Sequence, residues 1–342
     1  MTAFPFAVVC ITGGTGTLGT ALAAHLHATY PDVHLRILSR DEFKQDILRS
    51  SLGEDHVSYL LGDVRDVDRL RLAFKGVDLV IHAAALKQVP ALEYNPVEGV
   101  MTNVEGSRNV FRAALDCGVK HTLLISSDKA VHSQTLYGST KYVAERLFIQ
   151  ANSYSPGGET RYSVVRYGNV VTSRGSAINF FQDRLRQGML LPLTDQRMTR
   201  FWMEPDEAVR LVLFAAEHAN RGEIMVPELP AFAVMDLLRA ILGKQEGESF
   251  RVGELEVVGR RPGEKIHEDL LADDEIERTY LSEQTMLPFS VYSVSPTYHS
   301  WEKEDYRGRI PFLRASYNSE TWPIRLTVAD IRERLLAMGR MA

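Results

Sequence analysis

The chain has 342 residues, which at roughly 150 residues per domain leaves room for about two lobes. Hydrophobic residues make up 45% and charged residues 24%, a globular balance that excludes a disordered chain, while 24 Gly and 14 Pro exclude collagen-like or proline-rich material. Lys and Arg total 39 against 44 Asp and Glu, a net charge of −5 with both signs interspersed, which argues against nucleic acid as a partner.

No run of about 18 apolar residues is present, so no membrane insertion is expected. Met1 leads straight into an apolar strand without the basic and small-residue regions of a signal peptide. Cys10 and Cys117 both sit in apolar runs, too few for a disulfide framework or a cysteine zinc site. Buried thiols and a cytoplasmic, reducing location are expected.

The first half alternates strand and helix patterns. Apolar runs at 7–11, 35–38, 57–61, 79–81, 122–125 and 162–165 are separated by helix-length segments. Continuous apolar strands of this kind belong to a parallel sheet covered on both faces. Right-handed crossovers then predict an α/β fold with a doubly wound parallel sheet. Val104, Ser107, Val110, Ala114 and Leu115 mark one helix face. Val209, Val212, Leu213 and Ala216 mark another, opened by Pro205-Asp206-Glu207. After about residue 170 the alternation fades, and helix-like segments at 178–187, 205–218 and 232–242 mix with loops. These predict a smaller C-terminal lobe packed over the sheet. The Tyr-, Ser- and Pro-rich stretch 281–317 gives no assignable pattern.

The first strand runs into Gly13-Gly14-Thr15-Gly16-Thr17-Leu18-Gly19, with Gly13, Gly16 and Gly19 three apart. Glycines there let the backbone turn tightly against a pyrophosphate, and the helix start offers N–H groups and a positive dipole end. A glycine triplet alone can be a plain loop, but this one stands at the first strand-to-helix junction, where a dinucleotide fingerprint belongs. The second strand ends in Ser39, Arg40 and Asp41, with Lys44 one turn on. Ser39, Arg40 and Lys44 suit a 2′-phosphate and favour NADP; Asp41 leaves room for NAD. Asp63 follows the third strand and is placed to accept from adenine, with Val64 beside it, while Asp66 can cap the next helix. Small residues Ala83 and Ala84 after the fourth strand let a cofactor lie close. His82 has no second ligand at metal-binding spacing, and no metal is expected.

Tyr137 and Lys141 are four apart, on one helical face. A lysine near a phenol stabilises the phenolate and lowers a pKa that starts near 10. Such a tyrosine takes a proton from a sugar hydroxyl while hydride leaves the same carbon. Ser127, Asp128 and Lys129 close the fifth strand. A carboxyl and an amine at that strand end face the ligand crevice, and as an added acid and base they suit an elimination. The bland alternative is a surface ion pair contributing little.

Together these motifs resemble the extended short-chain dehydrogenase/reductases. More narrowly they resemble nucleotide-sugar 4,6-dehydratases acting on UDP-N-acetylglucosamine, of the 5-inverting type that opens pseudaminic acid biosynthesis. Ser127-Asp128-Lys129-Ala130, Leu136-Tyr137-Gly138, Arg166-Tyr167-Gly168-Asn169-Val170, Ser173-Arg174-Gly175-Ser176, Arg197-Met198-Thr199-Arg200-Phe201-Trp202 and Arg261-Pro262-Gly263-Glu264-Lys265 carry the likeness. It implies an NADP-binding domain over 1–170. Residues 171–342 would be mainly a nucleotide-sugar-binding lobe, with some segments returning to the first domain. Tyr137 would take the C4 hydroxyl proton, Lys129 the C5 proton, and Asp128 would protonate the departing C6 hydroxyl. Lys87 would touch cofactor or substrate. Asn169, Thr199, Arg200, Arg261 and Glu264 would meet the UDP-sugar, and the arginines its phosphates. A homo-oligomer, dimer or hexamer, is also implied. The family's Thr is Ser127 here, and its Asn-Pro is His132-Ser133. The competing readings are a 4-epimerase, which does not need Asp128 and Lys129; a dehydratase of another UDP-sugar; and an NADP-sensing regulator without catalysis.

Overall fold

The computed structural model describes residues 4–173, 175–282, 287–296, 309–312 and 314–340. Its first part alternates as expected: β1 (Val8–Thr12), α1 (Thr17–Thr29), β2 (His34–Ser39), α2 (Glu42–Leu52), β3 (Val57–Leu61), α3 (Val67–Phe74) and β4 (Leu79–His82). Short helices α4 (Val89–Tyr94) and α5 (Pro96–Gly99) lead through a π-helical turn, Val100–Glu105, into α6 (Gly106–Asp116). Next come β5 (His121–Ile125), a 3₁₀ turn at Asp128–Ala130, α7 (Leu136–Ala151) and β6 (Arg161–Val165).

The rest is built from shorter pieces: β7 (Asn169–Val170), α8 (Ala177–Arg186), β8 (Leu191–Leu193), β9 (Thr199–Met203), α9 (Pro205–His218), β10 (Ile224–Pro227), β11 (Ala231–Ala233) and α10 (Val234–Ile241). Then follow β12 (Leu255–Val257), α11 (Asp273–Ile276), β13 (Thr279–Leu281), β14 (Val291–Val294) and α12 (Val328–Ala337). The helix expected over 232–242 begins only at Val234. Ala231–Ala233 instead pairs antiparallel with β9, because Ala231 and Phe232 are buried in that small sheet. In the stretch 281–317, β14 supplies a strand, while 283–286, 297–308 and 313 lie outside the described residues, as does Arg174.

The main sheet runs β13-β14-β10-β6-β5-β4-β1-β2-β3. From β10 to β3 every pairing is parallel, and β14 and β13 add an antiparallel edge. Buried apolar strands such as Leu79–His82 leave no solvent face, so helices cover both sides. α1 packs between α2 and α9, touching each, and α3, α6 and α7 form a second contact series. Strands β10, β13 and β14 show that the second half returns to this sheet. A separate apolar cluster gathers Ile178, Phe181, Leu191, Trp202, Phe232, Leu238, Ile331 and Leu335.

This order matters for the site. Chain direction reverses its march across the sheet between β1 and β4, and a crevice opens at that switch point beyond the strands' carboxyl ends. Thr12, Ser39, Leu61, His82, Ile125 and Val165 end their strands there.

Candidate active site

At the end of β1 the turn is shaped by glycine. Gly13 has φ +68°, and a Cβ on it would lie 2.8 Å from the Ala84 backbone. On Gly19 a Cβ would lie 2.6 Å from the Gly13 carbonyl, so α1 can start close under the turn only without side chains. Gly16 caps α1 without a side-chain bond, Gly16 and Thr17 are exposed, and Thr15 and Leu18 are half-buried. The surface that Gly13, Ala83 and Ala84 leave open is the cradle a pyrophosphate needs.

The neighbouring strand ends divide the expected cofactor residues. Arg40 is half exposed and reaches Asp63 at 3.4 Å. Lys44 is paired with Asp41, whose side chain also caps α2 by accepting from the Lys44 N–H. Ser39 is buried, and its hydroxyl accepts from Gln45 Nε2 at 3.1 Å. Arg40 is therefore the more available cation for a 2′-phosphate. Asp63 is partly buried, which opposes its charge. Hydrogen bonds from the Arg65 side chain and backbone nevertheless hold its carboxyl below the usual range. Asp66 caps α3, accepting from the Arg69 N–H at 3.0 Å. Val64 is buried against Gly106. His82 is buried between Thr12 Oγ1 at 2.7 Å and Ser107 Oγ at 3.1 Å. Burial, with Lys141 adding to it, lowers its pKa to about 3, which makes it a neutral core histidine. Among the described residues no His, Cys, Asp or Glu cluster could hold a metal ion.

The expected catalytic residues are brought together. Ser127 caps the 3₁₀ turn and donates to Asp128 Oδ1 at 2.8 Å. Asp128 is 1% exposed, and its Oδ2 accepts from Lys129 Nζ at 3.0 Å. α7 packs on that turn because residue 138 is glycine: a Cβ there would lie 2.0 Å from the Lys129 carbonyl. The contact brings Tyr137 to the pair, beside Ser127 and within the fields of Asp128 and Lys129.

Two expectations need correction. Burial holds the Tyr137 phenol above its ordinary pKa and outweighs the Ser127 side chain that lowers it. The Lys141 amine donates to the Ile125 carbonyl at the end of β5. Burial lowers its pKa to about 8, against the opposing charge of Glu145. In this state the tyrosine is a protonated phenol beside Asp128 and Lys129, and its pKa is not lowered as the four-residue spacing had suggested.

The substrate candidates separate. Asn169 is exposed on β7. Lys87 lies past β4 and is exposed, though the atoms packed around it desolvate its amine and draw its pKa down. Arg261 is exposed, and Glu264 accepts from its backbone N–H at 3.1 Å, a turn-forming bond. Thr199 Oγ1 bonds His267 Nδ1 at 2.9 Å and Ser319 Oγ at 2.7 Å. Arg200 donates to the carbonyls of Thr199, Ile266 and Lys265 at 2.7, 2.9 and 3.1 Å. Its guanidinium is thus engaged in bracing a loop, a role that motif spacing does not reveal.

That loop carries a residue the sequence reading missed. Glu268 is 1% exposed, and its Oε1 lies 2.8 Å from Lys129 Nζ and 3.5 Å from Arg200 Nε. Burial opposes a charge on Lys129, but Asp128 and Glu268 prevail and raise its pKa. The quoted Arg261–Lys265 motif stops three residues short of Glu268, and an isolated Glu gives no signal of its own.

Residues 9–288 match the family model described as polysaccharide biosynthesis protein. A UDP-N-acetylglucosamine 4,6-dehydratase (inverting) of Campylobacter jejuni subsp. jejuni serotype O:23/36 (strain 81-176) is 40% identical over 290 residues, 84% of this chain and 83% of that one. A UDP-glucose 4-epimerase of Rickettsia conorii (strain ATCC VR-613 / Malish 7) is 40% identical over 272 residues, 78% of each. The structure of Pen from Bacillus thuringiensis superposes with a TM-score of 0.87 at 30% identity, over 99% of this chain and 100% of that one.

Proposed function

The chain belongs to the polysaccharide biosynthesis protein family, and on that premise we propose that it dehydrates UDP-N-acetylglucosamine across C5 and C6, with inversion at C5. The product is a UDP-2-acetamido-2,6-dideoxy-4-hexulose of L-arabino configuration, a precursor for surface or secreted glycans. The observation that carries this reading is the Asp128–Lys129 pair, 3.0 Å apart, beside Tyr137 at the end of β5. An acid and a base there suit removal of water, which a 4-epimerase does not perform. Similarity to the inverting dehydratase supports the substrate.

A nicotinamide nucleotide fits the cradle around Gly13, where the backbone approach to Ala84 leaves no room for a Cβ. We read it as NADP: exposed Arg40 suits the 2′-phosphate, and Gly13, Thr15, Gly16, Thr17, Leu18, Gly19, Asp63 and Ala83 line the rest. When bound, it supplies a hydride acceptor for C4 and a donor to C6, so none is consumed. Tyr137, a phenol at rest, first releases its own proton to solvent; as the phenolate, with Lys141 assigned to stabilise that form, it takes the C4 hydroxyl proton. The resulting 4-ketone acidifies C5; the Lys129 ammonium passes a proton to Asp128, 3.0 Å away, and the neutral amine so formed takes the C5 proton. Asp128, protonated, gives its proton to the C6 hydroxyl as it leaves as water. Lys129 returns a proton to C5 from the other face. Asn169, Arg261 and Lys87 are assigned to the UDP-sugar.

Val97, Val100 and Met101 are exposed apolar residues, as are Tyr142 and Val143 on α7, which packs against α5 and the π-helical turn. This face supports the homo-oligomer reading. No helix among the described residues is long and apolar enough to cross a membrane.

Incubation with UDP-N-acetylglucosamine in deuterated water, followed by NMR, tests the proposal. A 4-keto-6-deoxy product with deuterium at C5 and inverted configuration is expected. Interconversion of the 4-hydroxyl epimers with no loss of water would overturn the reading in favour of an epimerase, which the Rickettsia relative keeps as the second candidate.

A further inference from the structure

Lys129 does not stand at its strand end with Asp128 alone. Its ammonium is gripped from the opposite side by a residue 139 positions later in the chain, on the loop between β12 and α11. Glu268 is held there by more than the ion pair. Its backbone N–H donates to Ser319 Oγ at 2.8 Å, and its carbonyl accepts from the Ser319 N–H at 2.8 Å. Arg200 braces the preceding residues through the Lys265 and Ile266 carbonyls and adds a second cation near Glu268 Oε1. Lys265 in turn donates to the Val131 carbonyl, just past the turn that bears Asp128 and Lys129. The carboxylate is therefore fixed before any ligand arrives. Its Oε2 has no hydrogen-bond partner among the described residues. Burying a carboxylate is costly, and here the cost is offset by the Lys129 and Arg200 cations.

We propose that Glu268 is a positioning residue for Lys129: supplied by the second half of the chain, it fixes the direction of the Lys129 amine and holds that amine in its charged form between turnovers. This rests on the dehydratase reading, in which Lys129 exchanges a proton with C5. The groups facing Lys129 are Asp128 on its own turn, Tyr137 on α7, Arg200 on β9 and Glu268 on the loop. Asp128 and Glu268 favour the charged amine, while burial and Arg200 oppose it. Glu268 thus adds to Asp128 on the side of the charged amine. It also means that residues 265–269 can influence proton transfer without touching the sugar.

The test separates charge from placement. Purified full-length protein is labelled with acetic anhydride at about pH 9, below the usual lysine pKa, and labelling of each lysine is read by mass spectrometry. Lys129 is expected to react slowly in the wild type and about tenfold faster in Glu268→Gln, since one facing carboxylate shifts a pKa by about one unit or more. Lys265, a close neighbour, should be unchanged. Equal Lys129 rates in the two proteins, or equal acceleration of Lys265, would overturn the charge role. Glu268→Asp keeps the charge and shortens the reach. It should label as slowly as the wild type, yet lose at least tenfold in deuterium exchange at C5 of UDP-N-acetylglucosamine. Wild-type exchange in that variant would overturn the placement role. Labelling needs no substrate, so it stands apart from the dehydratase reading, which fails only if the wild type itself makes no 4-keto product.

Discussion

The Lys129 carbonyl occupies the space where a Cβ on Gly138 would stand, 2.0 Å away. This contact joins the two halves of the catalytic group. The strand-end turn holds Asp128 and Lys129, the first turn of α7 holds Tyr137, and only a glycine allows the two to touch.

Gly138→Ala is therefore expected to cost activity more than stability. Alanine favours a helix over glycine by about 1 kcal/mol, which partly offsets the clash. The clash itself has to be relieved by moving α7 off the turn. Displacing Tyr137 by about 1 Å is expected to cost on the order of 10²-fold in kcat. Turnover measured beside a thermal melt checks this, and a variant with wild-type kcat would show that the contact does not position the tyrosine.

Lys129→Ala should stop deuterium uptake at C5, because no other amine in the motif replaces it. The C4 step depends on Tyr137 and should survive, so reduced cofactor should accumulate after substrate is added, visible by its near-ultraviolet absorbance. Tyr137→Phe should show the reverse pattern, with no reduction at all. Deuterium entering C5 at the wild-type rate in Lys129→Ala would assign the base elsewhere.

Much of this site was legible in the residues themselves. Buried strands such as Leu79–His82 read as nearly uniform apolar runs, and the glycines of the first turn stand at the first strand-to-helix junction, where a dinucleotide fingerprint belongs. Ser127, Asp128, Lys129 and Tyr137 lie within eleven residues, so local spacing was enough to place them together. Glu268 could not be seen in that way. Its link to Lys129 spans the chain, and its neighbours Arg200 and Ser319 come from other segments. Arg200 shows the same limit: a guanidinium suits phosphate in sequence, and only the fold reveals that it also donates to three backbone carbonyls. The spacing of Tyr137 and Lys141 gave the shared helix but not the burial, which turns the tyrosine's pKa upward.

Arg40→Ala should weaken NADP binding and leave NAD nearly unchanged, because Lys44 is occupied by Asp41 and Ser39 by Gln45. Loss of one charge-assisted contact to phosphate is worth about 1.5–3 kcal/mol, on the order of 10- to 100-fold in affinity. Titration of both nucleotides against wild type and variant decides it. Equal affinities for NADP and NAD in the wild type would remove the assignment.

The last prediction concerns the ion network behind the site. Arg166, 1% exposed, donates to Glu145 at 2.7 and 3.0 Å and to Glu275 at 2.5 and 2.9 Å, tying β6 and α7 to α11. Ser126, just before the catalytic turn, donates to the same Glu145 at 2.6 Å. Burial alone would raise the Glu275 pKa, but the Arg166 charge overrides it and lowers it to about 2. A carboxylate with a depressed folded-state pKa adds stability that is full above its unfolded value and lost as pH falls through the folded one. The Glu275 share should therefore fade between about pH 4.5 and about pH 2. Arg166→Met takes the main partner from two buried carboxylates, leaving Glu145 and Glu275 only the longer ion pairs to Arg146 and Arg278 at 3.6–3.8 Å, and should cost about 3–5 kcal/mol at neutral pH. Adding Glu275→Leu to that variant should recover part of the loss, since an apolar replacement removes one of the stranded charges. Urea unfolding of the three proteins at neutral and acid pH measures both effects. If Arg166→Met is as stable as the wild type at neutral pH, the network does not hold α11 to the sheet.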